Sequence, residues 1–299
     1  MGRTHNRNTN RSTDSTVGFT RRDLLQRVIA AGSLAATAAA SPALTLARSA
    51  QGTVSGRPAS LKALALARLL NPTKFDDLPP LASEHSKMIL ASTLASAAAG
   101  SVIDSAAILR RLAKEHGGRP EATVWFDGTK LPVHEAARVN AMLSDAAASD
   151  DSDIRNTAHE GTTLASTGLA MAERTGATGR DLLCAIVIGY EAAGRIGETR
   201  RGGRPGVHAS QIVAFGGAVA AAKLLKLTDE QMAHAIGITA ITMGGLAIGT
   251  NSWAREYMGA NAALSAANAA LAASRGFTVN EDILDAQGGF VSIYCSFRP

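Results

Sequence analysis

Gly216-Gly217-Ala218-Val219-Ala220-Ala221-Ala222, followed by the alanine-rich run at 262–273, decides how this chain folds. Neither segment offers bulky side chains. Small residues let helix axes approach closely, so burial comes from backbone proximity as well as from large knobs. The expected fold class is therefore all-α, a packed domain of small-residue-rich helices. No fixed-length period recurs along the chain, which disfavours a solenoid.

Outward from that stretch the chain reads as helix after helix. A short helix is predicted over 61–70, ended by Asn71-Pro72. Leu78-Pro79-Pro80 punctuates the chain before a helix over 83–99, where Ile89, Leu90, Leu94 and Ala97 recur at helical spacing. The next, over 104–115, is expected to turn Ile108, Leu109 and Leu112 inward and to stop at Gly117-Gly118. Thr123-Val124-Trp125-Phe126 is strand-like, closed by Asp127-Gly128, and is expected to form a small hairpin with Leu131-Pro132-Val133. Further helices are predicted over 134–147, 160–175, 179–199, 209–225, 229–247 and 253–275. Thr228 and Gln231 have the spacing of a capping box at one of these starts.

Composition bounds the function. Of 299 residues 46% are hydrophobic and 18% charged, with 9 Pro against 29 Gly, which excludes collagen-like and disordered chains. Two cysteines, Cys184 and Cys295, cannot build a disulfide framework or a thiolate metal site unaided. The net charge of +5 resides almost entirely in residues 1–47, which hold six Arg and two Asp. The remainder is close to neutral, so no nucleic-acid partner is expected. Thr20-Arg21-Arg22-Asp23-Leu24-Leu25, the alanine-rich run 28–46 and the small residues of Thr45-Leu46-Ala47 together describe a twin-arginine-like export signal. Cleavage after Ala47 and a periplasmic destination are the expectation, with Ser41-Pro42-Ala43 as a second cut. The run is too weakly apolar for a membrane anchor of roughly 20 residues, and residues 212–225 are broken by Lys223 and Lys226. Residues 48–77 read as a linker and short helix, 78–294 as the helical domain and 295–299 as a tail.

Three polar clusters stand out in this apolar setting. In Ser149-Asp150-Asp151-Ser152-Asp153, close carboxylates repel, which raises at least one pKa or calls for a cation nearby. His159 follows at a helix start, where the dipole disfavours a protonated imidazole. A carboxylate and a near-neutral His in one loop suit proton transfer beside a substrate carboxyl group. The plainer reading is a solvated acidic loop in which Asp153 or Thr157 caps the helix, and on composition alone that reading leads. The second cluster runs from Arg200-Arg201-Gly202-Gly203-Arg204 to His208, with arginines able to hold carboxylates and His208 at another helix start. A basic loop with a capping His accounts for it as well. In the third, Arg255 heads a small-residue helix and could face an anion. The alternative is a surface Arg255-Glu256 turn with Trp253 as a core plug. Gly-x-Gly-x-x-Gly after a strand, a P-loop, paired-His zinc spacing and Gly-x-Ser-x-Gly are all absent.

The order of several blocks resembles the MmgE/PrpD family, which includes 2-methylcitrate dehydratase, cis-aconitate decarboxylase and iminodisuccinate epimerase. The blocks are the acidic loop ending in His159-Glu160-Gly161, the stretch from Ala170 to Gly176, and Gly179-Arg180-Asp181-Leu182-Leu183-Cys184 with Gly194-Arg195-Ile196-Gly197. Val207-His208 before Phe215-Gly216-Gly217, Arg255 heading the helix to Gly276-Phe277-Thr278, and Gly288-Gly289-Phe290 complete them. The resemblance implies a helical domain that binds small di- or tricarboxylates with no cofactor and no metal. It implies dehydration, decarboxylation or epimerisation by proton transfer, usually in a homodimer.

Position by position, His159 and His208 fall on the family's two histidines, as acid/base or substrate-positioning groups. Ser149 falls where the family commonly has a catalytic Asp, and Asp153 where it has Thr, with Asp150 and Asp151 as acidic partners. Arg255 falls where a substrate-binding Lys is usual; it can hold a carboxylate but cannot serve as a base near neutral pH. The resemblance stops near Tyr294, where the family hands over to an α+β lid, so a truncated copy or a fragment of a longer product is expected. The alternative to a lyase or epimerase is a catalytically inactive carboxylate-binding or dimerisation module.

Overall fold

A computed structural model describes residues 61–200 and 206–295. The stretch expected to be an export signal, most of the expected linker, the basic residues Arg201 and Arg204, and the last residues of the tail lie outside the described residues. The elements are α1 (Lys62–Leu70), α2 (Pro80–Gly100), α3 (Asp104–His116), β1 (Ala122–Thr123), β2 (Lys130–Leu131), α4 (Val133–Ala147) and α5 (Glu160–Thr175). They continue with α6 (Gly179–Glu198), α7 (Ser210–Leu224), α8 (Asp229–Thr242), α9 (Ala254–Ala273) and α10 (Phe290–Tyr294). The strands form an antiparallel hairpin pairing Ala122 with Leu131 and Thr123 with Lys130. The fold is all-α apart from that hairpin.

Helix α7 is the axis of the domain. All its residues but Lys223 are buried, with α5, α6, α8 and α9 packed around it. What brings these helices so close is the lack of side chains. A Cβ on Gly189 of α6 would lie 2.7 Å from the carbonyl oxygen of Gly216, and one on Gly216 would lie 2.8 Å from that of Gly189. Gly217 would meet Ala266 of α9 and Thr163 of α5 at 2.8 and 2.9 Å. At such contacts backbone rests on backbone, and dispersion between many close atoms replaces a few large apolar side chains. Phe215 supplies the bulk at one end of this seam, edge-on to Phe290 with ring centroids 5.0 Å apart.

Local signals set most of the helix ends. Thr178 and Thr228 each accept a hydrogen bond from the backbone N–H three residues on, and Asp181 and Gln231 return it. Gly176 ends α5 in the left-handed conformation at φ 67°.

Four expectations are corrected. The helix predicted over 229–247 stops at Thr242. Gly245, at φ +156°, turns the chain and its carbonyl accepts from the His208 backbone N–H at 3.2 Å. In α3 the inward stripe is Ser105, Ala106, Leu109 and Ala113, while Ile108 and Leu112 are exposed. The strand read at 123–126 is confined to Ala122–Thr123, because the chain turns at Phe126, φ 59°. Trp253 is exposed rather than a core plug, and it is Glu256 that is buried, accepting from Ser105 Oγ at 2.9 Å.

Among the described residues no single helix is long and apolar enough to cross a membrane. Cys184 and Cys295 are both buried and free.

Gly189→Val places a branched side chain against the Gly216 carbonyl and is expected to destabilise the domain by at least about 2 kcal/mol. Chemical denaturation checks this, and an unchanged midpoint would show that the α6–α7 contact is not the seam described.

Candidate functional site

Five helix ends converge on one cavity of about 620 Å³. Asp145 comes from the end of α4, His159 from the start of α5 and Arg200 from just beyond α6. His208 precedes α7 and Arg255 lies in the first turn of α9, while Arg155 reaches in from the acidic loop. The ends of α5, α7 and α9 are N-termini, whose unpaired N–H groups and dipoles favour an anion. Three guanidinium groups lie in the lining, two of them paired with carboxylates of the protein.

The acidic loop serves His159 and the fold rather than the cavity wall. A short bridge between Asp153 and Ala158 closes it. Asp151 is the side chain that caps α5: its Oδ1 accepts the Gly161 N–H at 2.9 Å and its Oδ2 the Tyr190 hydroxyl at 2.8 Å. Burial raises its pKa against those hydrogen bonds, and the same burial together with the Asp151 carboxylate holds the Tyr190 phenol far above its usual range. Capping therefore falls to Asp151, not to Asp153 or Thr157. Burial alone would raise Asp153. Hydrogen bonds from the Arg155 side chain and backbone outweigh it and hold the carboxyl below its usual range. Ser149 is exposed and bonds only its own neighbourhood, its hydroxyl to the Ala147 carbonyl and its N–H to Ser96. Ser149, Asp150, Asp151 and Asp153 are thus gathered beside the site, and none of the four lines it.

Asp150 is fully buried and is the carboxylate behind His159. Its Oδ2 accepts from the Thr162 hydroxyl, and its Oδ1 lies 3.4 Å from His159 Nδ1. The same Nδ1 is 2.8 Å from the Asp151 carbonyl oxygen. A carbonyl can only accept, so Nδ1 carries a proton. The Asp150 carboxylate, and then the Asp151 carbonyl, outweigh burial and push the His159 pKa up to about 9. The helix dipole led to the opposite expectation, a near-neutral His159. It is overruled because a carboxylate a few ångströms away exceeds the field of one helix end.

His208 has the reverse environment. The Ser210 N–H donates to its Nδ1 at 3.1 Å, so the proton of the neutral ring sits on Nε2. Burial first, then the charges of Arg255, Arg200 and His159, lower its pKa. Gly245 holds its backbone, and Gln211 Nε2 donates to that same Gly245 carbonyl at 3.2 Å.

Arg255 does not stand free in the cavity. Its guanidinium donates to Asp145 Oδ1 at 2.9 Å and to the Asp145 carbonyl at 2.7 Å. Burial raises Asp145 to about 6 against the pull of Arg255. Asp145 was not singled out in the sequence, although an acid in the last turn of the small-residue helix 133–147, with Arg255 needing a partner, was the available signal. Glu160 is the other acid that escaped notice. It is fully buried beside Asn156, and burial takes its pKa to about 8. Among the described residues no three His, Cys, Asp or Glu side chains are placed to hold a metal ion.

Residues 64–298 match the model of the MmgE/PrpD N-terminal domain. The chain belongs to the MmgE/PrpD family. It is 26% identical over 243 residues to the cis-aconitate decarboxylase of Homo sapiens, covering 79% of this chain and 50% of that protein. The chain thus spans about half the length of the curated relative it matches.

In this MmgE/PrpD domain the two imidazoles are expected to titrate on opposite sides of the ordinary value. Imidazole nitrogen NMR should place His159 near pH 9 and His208 below 6.5. A raised native pKa gives stability that is complete below the unfolded value, about 6.5, and lost as pH rises through about 9. His159→Gln should therefore lower the denaturation midpoint at pH 6 and leave it nearly unchanged at pH 10. Equal losses at both pH values contradict the assignment.

Proposed function

We propose that this domain carries the catalytic cavity of a lyase acting on a small carboxylate, by cofactor-free proton transfer, with decarboxylation the favoured reaction. The supporting observation is the protonated His159, held by Asp150 and the Asp151 carbonyl in the lining of a cavity that also holds three guanidinium groups. Loss of carbon dioxide from a carboxylate leaves the bonding electron pair on carbon, and that carbanion must be protonated. An imidazolium whose Nδ1 is already engaged offers its Nε2 proton. His159 is about half exposed, so water can return the proton after each turnover. Neutral His208 supplies an N–H donor to a carboxyl oxygen that gains charge as the bond breaks, and it needs no reorganisation to do so. Asp150 acts through His159 as a positioning residue. Asp151 caps the helix that carries the imidazole, and Asp153 fixes Arg155 in the lining.

Dehydration uses the same groups in a different order, with a base taking a proton beside the carboxylate while His159 protonates the departing hydroxide. Asp145, with its pKa near 6, is the lining group suited to that base. Decarboxylation is preferred because it requires no base, and because the human relative is named for that reaction.

The test is release of carbon dioxide from cis-aconitate, followed by NMR alongside dehydration of 2-methylcitrate. Activity should fall as pH rises through about 9, since His159 then loses its proton. His159→Gln should remove that limb and lower kcat by 10²- to 10⁴-fold, a typical range for a general acid. Turnover that survives His159→Gln unchanged, with its alkaline limb intact, overturns the role. Binding of carboxylates without any turnover supports the inactive binding module instead.

A further inference from the structure

The charges that line the cavity are not equally available. Arg155 is neutralised by Asp153 at 2.8 Å and by Glu191 at 3.2 Å. Arg255 is neutralised by Asp145 at 2.9 Å, and His159 faces Asp150. Arg200 is different. Its guanidinium donates only to the backbone carbonyls of Val207 and His208, at 3.2 and 3.4 Å, and no carboxylate among the described residues pairs with it. Its Nε is buried with no partner at all. Two further lining groups are in the same condition, the hydroxyls of Ser210 and Thr163, both buried and unpartnered.

A half-buried cation held by two long carbonyl contacts, with its Nε unpaired, is poorly satisfied, and so is a buried hydroxyl with nothing to bond. One guanidinium and two hydroxyls in the lining of one cavity are donors of the kind a carboxylate requires. The remaining guanidinium groups already hold carboxylates of the protein itself. Asp145 occupies Arg255 with one carboxylate oxygen and with its own backbone carbonyl, so both guanidinium amino groups are already engaged.

We propose that Arg200, with Ser210 and Thr163, is the carboxylate-binding subsite of this cavity, and that Asp145 fills the subsite of Arg255, so that the cavity favours a dicarboxylate over a tricarboxylate. One ligand carboxylate is anchored at Arg200. The second lies toward His159 without a guanidinium of its own. That suits a departing group, because a strong ion pair on a carboxylate stabilises it against loss. Arg255 becomes a positioning residue that holds Asp145. This deepens the lyase reading, and it rests on it for the fate of the second carboxylate only.

Calorimetric titration separates the two, because binding needs no turnover. The probes are crotonate, maleate and cis-aconitate, with one, two and three carboxylates, titrated into the full chain. The wild type should bind maleate at least as tightly as cis-aconitate. Arg200→Gln should weaken maleate by about tenfold or more, the cost of one charged hydrogen-bonding partner. Arg200→Lys should fall between the two, since it keeps the charge and loses the fork. Asp145→Asn frees Arg255 and should improve cis-aconitate by about tenfold relative to maleate. Circular dichroism on each variant verifies its fold. The proposal is overturned if folded Arg200→Gln and Arg200→Lys both bind maleate within twofold of the wild type. It is equally overturned if the wild type prefers cis-aconitate tenfold, or if it binds none of the three. Arg200-dependent binding with no product from any probe leaves the subsite standing and removes the lyase chemistry.

Discussion

The contact of Gly189 with Gly216 is the constraint on which the rest depends. Two helices can rest carbonyl against Cα only where neither carries a side chain. That contact fixes the distance between α6 and α7, and Gly217 does the same for α7 against α9 and α5. The consequence for the site is direct. Arg200 follows the end of α6, His208 precedes α7, and His159 and Arg255 open α5 and α9. Widening the seam by one methyl group moves the ends of four elements at once. A domain whose core relies on small residues therefore couples its packing tightly to the geometry of its cavity.

Inside that geometry, the division of charge follows from which groups have partners. His159 and His208 are the same chemical group at two helix N-termini, yet one is driven up and the other down. The difference is Asp150 behind the first, and burial followed by the nearby guanidinium groups at the second. Pairs of titratable groups pushed apart in this way are how one site holds a proton donor and a neutral hydrogen-bonding group together at a single pH. The same accounting distinguishes Arg200 from Arg255, since a guanidinium that already holds an aspartate has little left for a ligand.

Much of the fold was legible because helix stops are local. Gly117-Gly118, Gly176, and Thr228 with Gln231 act through the conformations and hydrogen bonds of neighbouring residues. What failed was non-local. The end of α8 depends on Gly245 being clamped to the His208 loop, and the inward face of α3 is set by the helix it packs on rather than by its own bulky residues. In the site, His159, His208 and Arg255 were reachable from block order and spacing. The charge of His159 was not, because the carboxylate that sets it comes from a loop whose fold had first to be known. Asp145 went unread because one acid in a helix ordinarily marks its solvent face, and only the approach of α9 buries this one.

The central claim is that a proton moves between this cavity and a carbon beside a carboxylate. Its most direct measurement is solvent deuterium incorporation. The full chain is incubated with cis-aconitate or maleate in deuterium oxide, and the recovered acids and products are examined by proton and deuterium NMR. The account predicts deuterium at a carbon next to a carboxylate, dependent on His159 and lost as pH rises through about 9. Product formed without deuterium at carbon, or incorporation that persists in His159→Gln, would contradict it.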